Sequence, residues 1–168
     1  MLFILCALLP CILADEFLLV TMDQGRSHTR SFQPFMRQLQ EDNHTVSLYF
    51  NTYKPEIDFH MKEELIDLSE YGSSPFDGDE FGTIVWNVES SFIHLIIAFK
   101  EHCHSCGVVL ERRRRDFDRL VHGKWSLIFA DSLFSVCGYG IARLSGSHHV
   151  MIHSSNVEGP QAIAKGFH

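Results

Sequence analysis

The sequence predicts an α/β fold, a doubly wound parallel sheet, from three observations. Short continuous apolar runs alternate along the chain with segments of helical periodicity. Two of the runs, Phe17–Met22 and Trp125–Ala130, have the length and composition of strands that are buried on both faces, as in a parallel sheet. Each run is followed by polar residues that suit the start of a helix. We therefore expect ligands to bind beyond the carboxyl ends of the strands.

The first strand, helix and second strand are predicted over residues 17–50. The apolar run Phe17–Met22 forms the first strand, and a polar turn then leads to Ser27, which stands where a helix cap is expected. The apolar face of the helix repeats at helical spacing and comprises Phe32, Phe35, Met36 and Leu39. The helix is expected to end near Asn43, and Val46–Phe50 forms the second strand. Such a βαβ unit is expected to have a right-handed crossover.

The middle of the chain is less regular. Met61–Leu68 predicts a short helix. Trp86–Glu101 and Gly107–Val121 predict two longer helices that are separated near Cys103–Cys106.

The last third returns to the alternating pattern. The run Trp125–Ala130 predicts a buried strand that ends at Asp131, and Ser132–Leu144 has the apolar spacing of a helix. Gly146 is expected to close this helix, and His149–Ile152 to begin another strand.

The first fourteen residues, MLFILCALLPCILA, carry no charged side chain. A bilayer span needs about 20 apolar residues, so this stretch fits a secretory signal peptide better, with Ala14 at the cleavage point. A buried first strand or a core helix is the alternative. We expect residues 1–14 to be the signal peptide and 15–168 to form one domain.

Asn43-His44-Thr45 is an N-glycosylation sequon, which has physical meaning only if the chain enters the secretory route. It lies on a polar stretch between two apolar segments, where a glycan can be accommodated. Together with the signal segment it predicts the endoplasmic reticulum lumen or the secretory pathway, and glycosylation at Asn43.

The formal net charge is −7, and the conspicuous basic run Arg112–Arg115 is followed by Asp116 and Asp118. A nucleic-acid surface needs several phosphate-neutralising residues gathered on one face. Four arginines in an acidic chain indicate a solvated helix face instead, so we expect no nucleic-acid partner.

The chain has five cysteines, and two of them, Cys6 and Cys11, belong to the signal segment. The remaining odd number leaves at least one free thiol, so the protein is not a disulfide scaffold. Two of the three lie in the constellation 102–106, His-Cys-His-Ser-Cys, which resembles part of a zinc or redox motif. A structural zinc site needs a second pair of ligands, and a redox Cys-x-x-Cys sits at a helix start after a strand. We therefore keep a small zinc or redox module only as an alternative, and we assign no metal ligand.

Two polar residues follow the predicted strands at the edge where ligands bind. His28 comes at the start of the first helix, and Asp131 directly follows the strand of the last third. If the two strands are neighbours, both side chains project into one crevice. The positive end of the helix dipole favours the neutral imidazole, and a carboxylate on the other ring nitrogen fixes its tautomer. Such a pair is a competent general base for a hydroxyl, whereas in the alternative each residue only caps a turn or helix.

Three segments then point to a family: GRSHTRSFQPFMRQLQEDNHTVSLYF (25–50), FADSLFSVCGYGIARLSGSHHVMIHSS (129–155) and NVEGPQAIAKGF (156–167). They resemble the amino-terminal domain of family-1 UDP-glycosyltransferases, especially the UDP-glucuronosyltransferase-like enzymes of nematodes. The resemblance implies a Rossmann-like domain, the amino-terminal half of a GT-B fold. It also implies that His28, in the "SH" motif, deprotonates the acceptor, and that Asp131, in the "D.LF..CG" motif, supports this histidine.

The reaction implied by the resemblance is transfer, with inversion, of a sugar from a UDP-sugar to a hydroxyl of a small lipophilic acceptor. The UDP-sugar is a co-substrate that the family binds mainly through its carboxyl-terminal domain, and no cofactor is implied. We find no donor-binding signature in this sequence, so we expect that the chain cannot complete the transfer alone. Full-length relatives are membrane-anchored.

The acceptor-specificity regions, loop 51–80 and helix 88–105, cannot be matched to the family residue by residue. Met22, Phe92 and Phe134 are candidates for lining an acceptor pocket, although apolar residues at such positions more often belong to the core. A second function also stays open. The chain would then be a non-catalytic partner that associates with full-length UDP-glycosyltransferases through the helical region 88–121.

Overall fold

The computed structural model describes residues 14–21, 26–53, 59–72, 92–132 and 135–153. Within these ranges five strands form one sheet, in the order β3-β2-β1-β4-β5, and every neighbouring pair is parallel. The strands are β1 (Glu16–Val20), β2 (Thr45–Thr52), β3 (Lys62–Asp67), β4 (Leu127–Asp131) and β5 (His149–Ile152). The α-helices in this part of the chain are α1 (Arg26–Glu41), α2 (Phe92–Arg112), α3 (Arg114–Val121) and α4 (Val136–Ser145). The strand order reverses between β1 and β4, which makes this pair the switch point of a doubly wound sheet.

Two apolar cores lie on opposite faces of the sheet, because successive side chains of a strand point to opposite sides. Leu18 and Val20 of β1 belong to the core that α2, α3 and α4 cover, whereas Leu19 belongs to the core beneath α1. Within the second core, Phe32 and Met36 supply the buried face of α1 as the helical spacing predicts, and Leu39 packs against it. Phe35, which was predicted on the same face, is 44% exposed.

The carboxyl end of α1 is closed by a left-handed residue, Asn43, at a φ of 66°. The amide of Asn43 donates to the carbonyl of Gln40 at 3.0 Å, and the amide of His44 donates to that of Leu39 at 3.0 Å. This pair of bonds is the Schellman arrangement, in which asparagine is the next choice after glycine. Helix α1 therefore ends where the sequence predicts, and the side chain of Asn43 is exposed.

Two predictions for the middle of the chain are wrong. Met61–Leu68 does not form a helix: Lys62–Asp67 is the edge strand β3, paired with β2. The two predicted long helices are not separated near Cys103–Cys106 either, because α2 runs through this segment. The break comes at Arg113, whose φ of −124° and ψ of 32° leave the helical region. The start of the first predicted helix, Trp86, lies outside the described residues.

The break at Arg113 is held by polar contacts. Its Nε donates to Asp116 Oδ2 at 2.8 Å, and its Nη1 donates to the carbonyl oxygen of Asp67 at 2.9 Å, at the end of β3. Arg119 forms ion pairs with Glu64 of β3 and with Asp116. These contacts fasten α3 to the edge of the sheet. Most of the basic run is a solvated surface, as the sequence predicts.

Candidate functional site

The site is built where β1 ends and α1 begins. Thr21 follows β1 and extends its pairing, since its amide donates to the carbonyl of Tyr49 at 3.3 Å. The chain then enters α1, which carries His28 in its first turn. On the neighbouring strand, Asp131 is the last residue of β4. The register pairs Val20 with Ala130, so the next residues of the two strands lie side by side at the carboxyl edge.

His28 and Asp131 are brought together at this edge. The ring Nδ1 of His28 lies 3.2 Å from Oδ2 of Asp131, although the two residues are 103 positions apart in the chain. The Asp131 side chain is fully buried, whereas that of His28 is 20% exposed. The histidine therefore faces both the buried carboxylate and the outside of the sheet edge.

The contact favours one tautomer of His28. An ionised carboxylate only accepts hydrogen bonds, so we assign the shared proton to Nδ1, which leaves Nε2 as the lone-pair nitrogen of the neutral ring. When Nε2 takes up a proton, the imidazolium is stabilised by the adjacent carboxylate. The arrangement can therefore act as a general base toward a hydroxyl that comes within hydrogen-bonding reach of Nε2.

Two buried threonines lie next to the pair. Oγ1 of Thr29 donates a hydrogen bond to Oγ1 of Thr21 at 3.0 Å, and the two residues are 2% and 1% exposed. Thr29 follows His28 directly in α1, and Thr21 lies beside Asp131 in the sheet. Sequence reasoning missed this contact. The signal that could have found it is a threonine at the end of an otherwise apolar strand, with another in the helix turn that follows.

Helix α4 approaches the same edge from the other face of the sheet. A Cβ added to Gly138 would stand 2.2 Å from Cγ1 of Val20, the last residue of β1. The hydroxyl of Ser135, just before α4, lies 3.5 Å from the carbonyl oxygen of Val20. The strand that leads to the site is therefore packed against the start of α4 with no room for a side chain at Gly138.

The residues of the 102–106 constellation point in different directions because they lie within one helix. His102 and Ser105 are buried, and Ser105 accepts a hydrogen bond from Asn51 Nδ2 at 3.3 Å. Cys106 forms a disulfide with Cys137 at the start of α4. Cys103 is the free cysteine among the described residues; it is exposed, and partial burial raises the pKa of its thiol.

This geometry weighs against the alternative of a zinc or redox module. Cys106 is committed to the bond with Cys137, so a Cys103–Cys106 thiol pair does not exist here. Among the described residues no group of three or more His, Cys, Asp or Glu side chains could hold a metal ion. The sequence correctly required a free thiol, but we did not predict the disulfide. Cys106 was expected to lie between two helices, so there was no reason in the sequence to pair it with Cys137 of the last helix.

Several predicted positions cannot be compared with the structure. Met22 and Phe134 lie outside the described residues, and Phe92 begins α2 without a described side chain. The signal segment lies outside as well, except for Ala14. Across the described ranges, none of the helices is both long and apolar enough to cross a membrane.

No protein-family model matches the chain, and no curated protein matches it. Its structure is similar to that of CalG4, the calicheamicin glycosyltransferase, with a TM-score of 0.57 and 12% sequence identity over 92% of this chain and 38% of that one. It is also similar to apo UGT2 of Phytolacca americana, with a TM-score of 0.52 and 16% identity over 85% of this chain and 30% of that one. The chain thus spans about a third of the length of these proteins. The predicted fold class is confirmed: an α/β, Rossmann-like parallel sheet of the kind found in GT-B glycosyltransferases.

Proposed function

We propose that this chain is the acceptor-binding, amino-terminal part of a UDP-glycosyltransferase, in which His28 deprotonates the acceptor hydroxyl and Asp131 supports it. The observation that carries the proposal is the 3.2 Å contact between His28 Nδ1 and Asp131 Oδ2 at the switch point of the sheet. The fold likeness to two glycosyltransferases and the resemblance of the "SH" and "D.LF..CG" segments to family-1 enzymes support the same function.

The proposed step is an inverting displacement. The acceptor gives its hydroxyl proton to Nε2 of His28, and its oxygen attacks the anomeric carbon of the UDP-sugar from the side opposite to the leaving group. A new carbon–oxygen bond forms as the bond between the anomeric carbon and the β-phosphate oxygen breaks, and UDP leaves. Asp131 stays ionised and stabilises the imidazolium. General-base assistance of this kind typically contributes about 10²–10⁴-fold to a rate.

The donor is proposed to bind mainly through the carboxyl-terminal domain of such a transferase. The proposed step involves no cofactor, because UDP is itself the leaving group and no atom changes its oxidation state. Small lipophilic hydroxyl compounds are the proposed acceptors, as in the family that the chain resembles. We propose the endoplasmic reticulum lumen as the location, which suits the disulfide between Cys106 and Cys137, because disulfides persist in oxidising compartments.

The test is transfer by the chain fused to the donor-binding domain of a UDP-glycosyltransferase. UDP release and glycoside formation are measured with UDP-glucuronic acid or UDP-glucose and a panel of phenols. We expect His28→Ala to lower kcat/KM by about 10²–10⁴-fold. Asp131→Asn is expected to lower it by a similar factor, because an amide stabilises neither the required tautomer nor the imidazolium.

His44→Ala is the matched control. The side chain of His44 is also 20% exposed, and its Nδ1 lies 3.8 Å from Oδ2 of Asp15, but at the amino edge of the sheet. Its substitution should leave kcat/KM within about twofold of the parent fusion. Undiminished transfer by a folded His28→Ala fusion would refute the assigned base.

A second candidate function, a non-catalytic partner of full-length UDP-glycosyltransferases, is favoured by apolar side chains that α2 exposes. Ile97 is 46% and Phe99 is 51% exposed, inside the helical region 88–121 expected to mediate association. The test is co-purification with a co-expressed full-length transferase. Phe99→Glu should abolish it, whereas Leu144→Glu, which alters an exposed apolar residue of α4, should not. Equal recovery of the two variants would count against this surface.

A further inference from the structure

We propose that Thr21 and Thr29 are positioning residues, whose hydrogen bond holds the first turn of α1 at the rotation that aims His28 Nδ1 at Asp131. The inference rests on the proposed function, since it concerns the geometry of the same base. It adds two residues to the site that neither the family motifs nor the strand-end argument identified.

The first step of the argument is the placement of the four side chains. Thr21 directly follows β1 and Asp131 ends β4, and both lie one residue beyond the pair Val20–Ala130. Side chains alternate along parallel strands, so both point to the face of the sheet that α1 covers. Thr29 and His28 are consecutive residues of α1. One hydrogen bond and one polar contact therefore join neighbouring residues of the helix to neighbouring positions of the sheet.

The second step is that two such contacts fix the rotation of α1 about its own axis, whereas a single contact leaves that rotation free. A helix whose first turn has a single polar tether can turn there while its apolar face slides over the core. The bond from Gln33 Nε2 to the carbonyl of Phe59 lies farther along α1 and is made by a flexible side chain. A ring whose tip lies about 5 Å from the axis moves by about 2 Å when the helix turns by about 20°. Such a displacement breaks a 3.2 Å contact. Because the bond from Thr29 to Thr21 is formed by the next residue along the helix, it opposes this turn directly.

The third step concerns the burial of the threonine pair. Both threonines are almost completely removed from solvent, so their hydroxyls cannot exchange this bond for one to water without opening the helix–sheet contact. A valine of the same shape would fill the space equally well but would make no hydrogen bond to orient the helix. The hydroxyl at each position is therefore explained by orientation and not by packing.

The experiment compares Thr29→Val, which keeps the shape and removes the donor, with Thr29→Ser, which keeps the donor and removes a methyl group. The chain is labelled with ¹⁵N-histidine, and the His28 signals are assigned from the His28→Ala spectrum. The nitrogen shifts report which ring nitrogen carries the proton. We expect the parent chain and Thr29→Ser to show one tautomer protonated on Nδ1, and Thr29→Val to show a mixture with Nε2-protonated ring.

The double variant Thr21→Val/Thr29→Val removes both partners together, so it leaves no buried hydroxyl without a partner. It therefore separates the effect on orientation from the loss of stability that an unpaired hydroxyl causes. It should unfold near the parent temperature and still show mixed tautomers. Ser47→Ala, which deletes a buried hydroxyl of β2 on the opposite face of the sheet, is the control and should leave the His28 signals unchanged. A single Nδ1-protonated tautomer in both valine variants would overturn the proposal, as would tautomer mixing in Thr29→Ser.

Kinetics of the fusion enzyme give a second readout. Misorientation of the base should lower kcat by about 10–100-fold in Thr29→Val with a smaller change in KM, because proton transfer to Nε2 depends more steeply on the ring direction than one hydrogen bond to the acceptor does. Thr29→Ser should restore kcat. An inactive parent fusion would refute the proposed function, whereas the tautomer shifts would still decide whether the threonines orient the ring. Full activity of Thr29→Val would overturn the positioning role even if the enzyme is a transferase.

Discussion

Gly138, in the first turn of α4, lies directly against Val20 at the end of β1. An added Cβ at this position would stand 2.2 Å from Cγ1 of Val20 and 2.3 Å from Oγ of Ser135. Real Cβ atoms do not approach heavy atoms so closely, so the helix would have to move away from the strand that leads to His28. The site therefore depends on a glycine on the face of the sheet opposite to α1.

We expect Gly138→Ala to lower the free energy of unfolding by about 1–3 kcal/mol, the usual cost of overpacking a core. Gly140→Ala is the control in the same helix, since its Cβ would meet only the ring of Phe117 at 3.7 Å. It should be neutral or stabilise by up to about 1 kcal/mol, because alanine favours helix over glycine. Urea unfolding of both variants checks this, and equal stability of the two would contradict the close approach.

The Cys106–Cys137 disulfide is expected to contribute to stability by restricting the unfolded chain. For a sequence separation of 31 residues, the loop-closure argument gives about 2–4 kcal/mol. Replacing both cysteines by alanine should lower the free energy of unfolding by this amount, measured under oxidising conditions. Cys103→Ser should change little and should remove the thiol that reacts with maleimide in the folded chain. In a chain that begins at Asp15 and therefore lacks Cys6 and Cys11, a folded parent protein that loads two or more maleimides would refute the pairing.

Asp67 gives a pH dependence whose sign follows from its contacts. The backbone amide of Ser69, which donates to Oδ1 at 2.8 Å, holds the pKa of this carboxyl below its ordinary value, and Arg113 acts in the same direction. A depressed folded pKa stabilises the fold fully above the unfolded value, about 3.9, and the contribution declines as the pH falls through the folded value. Water screens the exposed group, so we expect about 0.5 kcal/mol or less.

The measurement for Asp67 is urea unfolding of the parent chain and Asp67→Asn at pH 7 and pH 3. The parent should be the more stable at pH 7, and the difference should shrink at pH 3. Asp118→Asn, which removes an exposed partner of Arg114, controls for the loss of a surface charge. A difference that grows toward low pH would contradict the sign.

The sequon can be tested without disturbing α1. Asn43→Gly removes the acceptor amide yet suits the left-handed φ of 66°, and Thr45→Ala removes the hydroxyl that the sequon needs. In secretory expression, the parent chain and Thr45→Ser should lose mass on glycosidase treatment, and the other two variants should not. Unchanged mobility of the treated parent chain would exclude glycosylation at Asn43.

The sequence specified the sheet centre well because its strands are buried on both faces and read as apolar runs. The prediction was wrong at β3. There Met61, Leu65 and Leu68 repeat at helical spacing among good helix formers. Pairing with β2 overrides this local preference, and charged side chains suit an edge strand. Whether this segment forms a strand depends on its pairing with β2, and a local sequence pattern does not contain that information.

The candidate pair was predictable for a different reason. His28 and Asp131 follow apolar runs, and parallel strands place their carboxyl ends at one edge, so topology alone limits where the two side chains meet. The unbroken helix α2 was not predictable from the polar segment 102–106. Its buried members bind Asn51 and Cys137, partners that lie far away in the chain. The two threonines were missed because a threonine at a strand end and another in the next helix turn do not by themselves show that their hydroxyls bond to each other.

The covalent link between α2 and α4 also bears on how the protein survives proteolysis. Arg112, Arg114 and Arg115 are exposed, and they lie between Cys106 and Cys137 in the chain. A trypsin-like cut at these arginines therefore opens a closed ring and does not sever the molecule. The fragment that carries His28 would stay bonded to the fragment that carries Asp131 until a reductant is added. A nicked chain would run as one band without reductant and as two bands with it.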